Sequence, residues 1–255
     1  MTNAELIKRV ESYFNNLYEA NPIIIFSPGR INLIGEHTDY NEGFVFPAAI
    51  DKGIVAAVQK SKNNGSTIHA IDVEEKLEFS LNNIQPIENG GWRNYVLGVV
   101  AGVQEKGKHI DYFNLVFGGN ITDGAGLSSS AALENSIVFG LNELFELGLS
   151  KEEMIFISQQ AEHNFVGVKC GIMDQYASMY WQENKALQLD CRDLSAIPVT
   201  IDFKEYKILL INTNVKHSLA NSAYNDRRSV CEKVAELLKI SALRDASEMV
   251  LAAIK

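Results

Sequence analysis

All 18 glycines of this 255-residue chain stand at or before Gly171. The final third, at average usage, would hold roughly six. Glycine supplies positive-φ turns and lets backbone approach a ligand closely, so every glycine-dependent loop must lie in the first two-thirds. The remainder is left to plain helices and strands.

The densest such loop is Gly124-Ala125-Gly126-Leu127-Ser128-Ser129-Ser130, after which Leu133, Ile137, Val138, Leu141, Leu144 and Phe145 recur with helical spacing. Two glycines expose backbone amides, a helix amino terminus adds positive potential, and three hydroxyls offer donors or a magnesium ligand. The segment therefore has the parts of a phosphate cradle, although a glycine turn with serine caps would read the same way. It is neither a Walker loop nor a dinucleotide fingerprint, because no Gly-Lys-Ser/Thr follows and no glycine stands at the required spacing after Gly126.

Two further segments concentrate hydrogen-bonding groups near apolar ones. Gly29-Arg30-Ile31-Asn32-Leu33-Ile34-Gly35-Glu36-His37-Thr38-Asp39-Tyr40 follows an apolar strand at 23–26 and a turn at Ser27-Pro28-Gly29. Its carboxylates, imidazole and amide suit a polyhydroxylated ligand, since each sugar hydroxyl both donates and accepts. A solvated loop is the alternative. In Gly171-Ile172-Met173-Asp174-Gln175-Tyr176, Asp174 follows a glycine turn among apolar side chains, which suits a base, a magnesium ligand or a helix cap. Glu162 sits beside the buried face of a helix that opens on the Ser150/Glu153 capping-box pattern, where a solvated role is the ordinary one.

The pattern predicts an opening amphipathic helix and strands at 44–46, 54–59, 67–73, 77–81, 112–117, 186–191 and 207–213. Further helices are expected at 92–106 and about 222–239, with a domain junction within 183–198. The result is a mixed α and β chain in two layers, without the βαβ alternation of a Rossmann sheet. A hydrophobic share of 46% supplies an ample core, and a net charge of −9 argues against a surface for nucleic acid or anionic membrane. Apolar runs such as 208–211 fall far short of the roughly 20 residues of a membrane span. Met1-Thr2-Asn3-Ala4-Glu5 lacks the basic start of a signal peptide, and Cys170, Cys191 and Cys231 are odd in number and widely spaced. A reduced, cytoplasmic setting is expected.

Together, residues 29–40, 124–130 and 171–175, with Asn214-Val215-Lys216-His217-Ser218-Leu219 and Tyr224-Asn225-Asp226-Arg227-Arg228, resemble the galactokinases of the GHMP small-molecule kinase family. The resemblance implies an α+β fold in two domains. The first, residues 1–185, would be like domain 2 of ribosomal protein S5 and carry the sugar and ATP sites; the second, 186–255, would be a partial ferredoxin-like domain. It implies ATP-dependent phosphorylation of the anomeric hydroxyl of galactose by a cytoplasmic monomer, with Mg2+ and without nucleic acid or membrane partners. A galactose- and ATP-binding regulator without turnover, or a kinase for a related sugar such as N-acetylgalactosamine, are the alternatives. By position, Asp174 would be the base and Arg30 its cation, while Glu36, His37, Thr38, Asp39 and Tyr224 would hold the sugar. Gly124, Ala125, Gly126, Leu127, Ser128, Ser129 and Ser130 would wrap the phosphates, Trp92 would line the adenine pocket, and Ser130 and Glu162 would hold magnesium. Two departures stand out: Thr122 replaces the family's usual proline, and the glycine-free tail lacks the family's third, glycine-rich motif. On that ground the chain is expected to be truncated at its carboxy terminus and to be a weak catalyst as it stands.

Overall fold

Strand β3 (Pro47–Lys60) sets the architecture, because its side chains alternate between two separate cores. Ile54, Ala56 and Val58 face one cluster with Phe113, Leu115 and Phe117, while Val55 and Ala57 face another with Val116, Leu6, Val10 and Phe14. A strand buried on both faces needs cover on both, and here helices supply it. The computed structural model describes residues 1–19, 21–121, 125–212 and 217–252.

Helix α1 (Asn3–Tyr18) covers the smaller cluster. Leu6, Val10 and Phe14 repeat every four residues, and a Thr2/Glu5 capping box fixes the helix start. Each fully buried side chain of this kind contributes about 1.5–3 kcal/mol. The opposite face is covered by α2 (Trp92–Glu105), α3 (Ser129–Phe145), α4 (Lys151–Ala161) and the short α5 (Met173–Met179). The expected Ser150/Glu153 capping box is present at the start of α4.

Between these layers lies an eight-stranded sheet. Its main path runs β2 (Phe44–Val45), β7 (Lys185–Asp190), β3, β6 (Phe113–Gly119), β4 (Ser66–Ala70) and β5 (Glu75–Phe79). Strand β1 (Ile23–Asn32) pairs with β3, and β8 (Ala196–Thr200) pairs with β7. All pairings are antiparallel except β4 with β6. The chain then continues into α6 (His217–Leu238) and α7 (Glu248–Ala252).

The structure corrects three expectations. The turn at Ser27-Pro28-Gly29 is instead a bulge within continuous β1, where the register with β3 shifts between Pro28 and Arg30. Proline lacks an N–H and glycine a Cβ, so both fit a bulge as well as a turn. The sheet also runs beyond the expected boundary at 185/186, since β7 and β8 complete it as far as Thr200. Finally, residues 207–212 of the expected strand at 207–213 have no ladder, and Leu209 and Ile211 are exposed. An apolar run makes a strand only where a neighbour accepts its backbone groups, and no strand among the described residues does so. Thr213 lies outside the described residues.

Candidate active site

The bulge in β1 aims Arg30 at α5. Its Nε and Nη2 donate to Oδ1 and Oδ2 of Asp174, both at 2.7 Å, forming a two-pronged pair largely shielded from solvent. Nη1 donates to Gly126 O at 2.8 Å, and the Arg30 amide donates to Leu127 O at 3.1 Å. One residue thus ties the loop before α3 to the acid on α5. Gly29 permits this approach, because a Cβ there would stand 2.5 Å from Leu127 O.

Buried hydroxyls and amides fix α5 in turn. Ser27 and Ser178 hydroxyls meet at 2.9 Å, and Ser178 donates to Pro28 O at 2.7 Å. Asn135 Nδ2 donates to Gln175 O at 2.9 Å while its Oδ1 accepts from Ser158 at the same distance, joining α3, α4 and α5. Such satisfied networks specify one arrangement of their elements.

The described part of the loop before α3 leaves that helix without a serine cap. Ser128 adopts a left-handed conformation with φ 59 and makes no capping bond to the helix amides; its hydroxyl donates to Asp174 Oδ2 at 2.6 Å instead. The serine-cap reading therefore fails for Ser128, and the first-turn amides of α3 are left without that cap. Ala125, Gly126 and Leu127 complete the described loop and Ser129 and Ser130 open α3, whereas Gly124 and Thr122 lie outside the described residues.

Asp39 lies on a single 3-10 turn, Asp39–Asn41, and is 8% exposed. Its carboxylate rests directly on the Cα of Gly171, where a Cβ would fall 1.9 Å from Oδ2. Burial, and then the nearby Asp174 charge, push the Asp39 carboxyl up to about 6. His37, Tyr40 and Tyr224 form an aromatic triangle beside it, with ring centroids 5.4 to 5.9 Å apart. His37 Nε2 lies 3.1 Å from Arg227 Nη1. A guanidinium only donates, so Nε2 accepts, and the ring proton on Nδ1 faces the Tyr40 hydroxyl at 3.0 Å. Tyr224 reaches the group from α6, its hydroxyl accepting from the Gly171 amide at 3.4 Å. Asn225 and Arg228 seat the same helix on the backbone of residues 167–170. A cleft of about 410 Å³ opens beside Asp39, lined in part by Tyr40, Gly171, Cys191, Arg192 and Arg228.

Other expected residues take different places. Thr38 turns inward, its hydroxyl 2.7 Å from both Gly35 O and Phe44 O, and so braces the turn. Glu36 is exposed and accepts from Asn32 Nδ2 at 3.1 Å, while Asn32 Oδ1 is buried without a hydrogen-bond partner among the described residues. Trp92 contacts Glu75, Arg93 and Phe117 at the start of α2.

Glu162 is not solvated. It is 6% exposed, accepts from the Ser130 hydroxyl, and burial pushes its carboxyl up to about 7. Gln175 Nε2 lies 3.5 Å from Glu162 and 3.3 Å from Glu134, whose carboxyl is fully buried and also pushed upward by burial and then by Glu162. Glu134 Oε1 and Gln175 Oε1 have no hydrogen-bond partner among the described residues. The sequence reading missed Glu134, Gln175, Arg227 and Arg228 as site residues. Helical spacing was the available signal: Glu134 lies four residues after Ser130, and Arg227 and Arg228 lie three and four after Tyr224.

Known proteins resemble the chain in sequence and in fold. Residues 12–60 match the galactokinase galactose-binding signature, and residues 94–182 match the GHMP kinases N terminal domain. The chain is 41% identical over 243 residues to galactokinase of Haemophilus influenzae strain PittGG, covering 94% of this chain and 63% of that protein. It is 41% identical over 250 residues to galactokinase of Clostridium beijerinckii, covering 96% and 64%. The crystal structure of Lactococcus lactis galactokinase complexed with galactose superposes with a TM-score of 0.86 at 32% identity, covering 96% of this chain and 66% of that one. Methanococcus jannaschii mevalonate kinase, at 20% identity and TM-score 0.60, shares the fold alone, over 71% and 56%. The chain thus spans somewhat less than two-thirds of the length of these curated galactokinases.

Proposed function

Because the chain belongs to the galactokinases of the GHMP kinase family, we propose that its site transfers the γ-phosphoryl group of ATP to the anomeric hydroxyl of galactose. The observation that carries this reading is the joining of three parts through Arg30 and Asp174. Arg30 holds the loop before α3 through Gly126 O, Ser128 of that loop bonds to Asp174, and Asp39 stands close enough to Asp174 to feel its charge.

Phosphoryl transfer depends chiefly on positioning and on neutralising charge. The sugar lies against Asp39, His37 and Tyr224, with Glu36 at the rim, and its anomeric hydroxyl points to Asp174. A carboxylate offers about four acceptor positions. Two donors from Arg30 and one from Ser128 occupy three of them, leaving one for the sugar hydroxyl. Asp174 orients that hydroxyl and takes its proton as the oxygen attacks the γ-phosphorus and the bond to the β-phosphate oxygen breaks, releasing ADP. Arg30, fixed on Asp174, presents positive charge where the transferring group passes. The amides of residues 125–130 hold the nucleotide phosphates, and Trp92 borders the adenine.

The family's divalent cation fits the residues present. Ser130 hydroxyl and Glu162 carboxylate are adjacent hard oxygen donors, and Mg2+ is ordinarily held by one or two protein oxygens with phosphate and water completing its shell. When bound, the cation neutralises phosphate charge.

ADP release measured across a panel of sugars tests the assignment. Galactose should support release well above every other sugar, and Asp174→Asn should slow it by about 10² to 10⁴. Equal release with N-acetylgalactosamine, or sugar binding without release, would replace the reading.

A further inference from the structure

The turn that carries Asp39 is gripped from behind by a residue that belongs to none of the motifs. Within residues 36–43, His37 and Glu42 both have positive φ, at 64 and 58, a conformation that side chains disfavour and that persists only where the surroundings enforce it. Some of the enforcement is internal. The amides of Asn41 and Gly43 donate to Thr38 O, the Glu42 amide donates to Asp39 O, and Asn41 Nδ2 donates to His37 O.

The rest comes from a single-turn 3-10 helix, Leu243–Asp245, far away in sequence. Arg244 Nη1 donates to Glu42 O at 2.8 Å. The same guanidinium meets both carboxylate oxygens of Asp190 at the end of β7, with Nη2 to Oδ2 at 2.9 Å, and lies over the Phe44 ring at 4.5 Å. Arg192 adds a second link, bridging the Glu42 and Asp245 carboxylates at 2.7 Å each, and the Cys191 amide donates to Gly43 O at 3.0 Å. The Arg244 side chain is only 26% exposed and that of Asp190 only 15%. A planar fork that binds two carboxylate oxygens, a carbonyl and a ring face at once cannot be replaced by a point charge. Its position at the rim leaves both apolar clusters untouched.

We infer that Arg244 is a positioning residue that locks the 36–43 turn and thereby sets sugar affinity through Asp39 without touching the sugar. The affinity clause rests on the proposed galactose reading; the locking of the turn does not.

Backbone hydrogen exchange, followed with galactose calorimetry on the same proteins, tests the inference. The proteins are the parent chain, Arg244→Gln, Arg244→Lys, Asp190→Asn and Arg9→Gln, the last removing an exposed bridge to Asp72. In Arg244→Gln the amides of Asn41, Glu42 and Gly43 should exchange at least tenfold faster while amides of β3 and α3 keep their rates. Arg244→Lys should recover only part of the protection, and Arg9→Gln should match the parent. Galactose Kd should rise at least tenfold in Arg244→Gln, with MgATP Kd within twofold. Unchanged protection at residues 41–43 would overturn the inference. If Arg244→Gln exchanges faster everywhere, Asp190→Asn decides: local loosening of the turn supports the role, and an unchanged turn overturns it. A parent chain that fails to bind galactose would sink the sugar reading, while the exchange rates would still decide the role of Arg244.

Discussion

Substituting Gly171→Ala should damage the sugar site through a single methyl group. The added Cβ would lie 1.9 Å from Asp39 Oδ2, 2.2 Å from Cγ and 2.7 Å from Cβ, so the whole carboxylate blocks it. Ordinary contact begins at about 3.4 Å, which requires Asp39 or the residue 171 backbone to move by roughly 1.5 Å. Asp39 is nearly buried and cannot swing into solvent without abandoning its turn. Overpacking of this kind costs about 1–3 kcal/mol of stability, or some 2–6 °C in melting temperature for a chain of this size. The displaced carboxylate should also lose its sugar hydroxyls, weakening galactose binding by about tenfold or more. Calorimetry and thermal melts on Gly171→Ala, Asp39→Ala and the double variant provide the assay. Because Asp39→Ala removes the two closest clashing atoms, Oδ2 and Cγ, and leaves only the Cβ contact at 2.7 Å, adding Gly171→Ala to it should cost less affinity and stability than it costs the parent. Parent-like behaviour of Gly171→Ala, or strictly additive losses in the double variant, would refute the close packing of these two residues.

Asp174→Asn should lower kcat by about 10² to 10⁴ while leaving galactose affinity within a few-fold, as expected for loss of a general base; single-turnover kinetics with calorimetry will check this. Burial raises Asp39 from 3.8 to about 6 and Glu162 from 4.5 to about 7, so the folded chain binds protons more tightly than the unfolded one. Their contribution to stability is therefore full below about pH 4 and is lost as pH rises through 6 to 7. Asp39→Asn and Glu162→Gln should each become more favourable relative to the parent over that interval, as read from urea midpoints. Magnesium affinity, measured calorimetrically with MgATP, should rise as pH passes 7 and Glu162 gives up its proton. A pH-independent affinity would remove Glu162 from the metal site.

What the sequence disclosed followed the range of the forces involved. Local patterns, such as the Leu6/Val10/Phe14 stripe, the Ser150/Glu153 capping box and the helix after Ser130, depend on residues a few positions apart and were legible. Ser27-Pro28-Gly29 was ambiguous because a bulge and a turn require the same residues, and only pairing with β3 decides between them. Residues 207–212 have the composition of a strand, yet composition does not supply a partner. At the site, motif residues stood out because their chemistry is unusual for their place in the chain. Glu134 did not, since a carboxylate on a helix ordinarily faces water and only the packing of α3 against its neighbours buries it. Arg244 offered no signal, because its partners Glu42, Phe44 and Asp190 are brought to it only by the completed sheet.

Phosphorylation at the anomeric carbon can be observed directly. With protein in excess over [1-13C]galactose, and MgATP present, a single turnover followed by 13C and 31P magnetic resonance reports where the phosphoryl group goes even if catalysis is slow. The proposed function predicts that the labelled carbon becomes coupled to phosphorus and that in Asp174→Asn the coupling appears about 10² to 10⁴ times more slowly. ATP hydrolysis without coupling, or phosphate on another sugar oxygen, would contradict it.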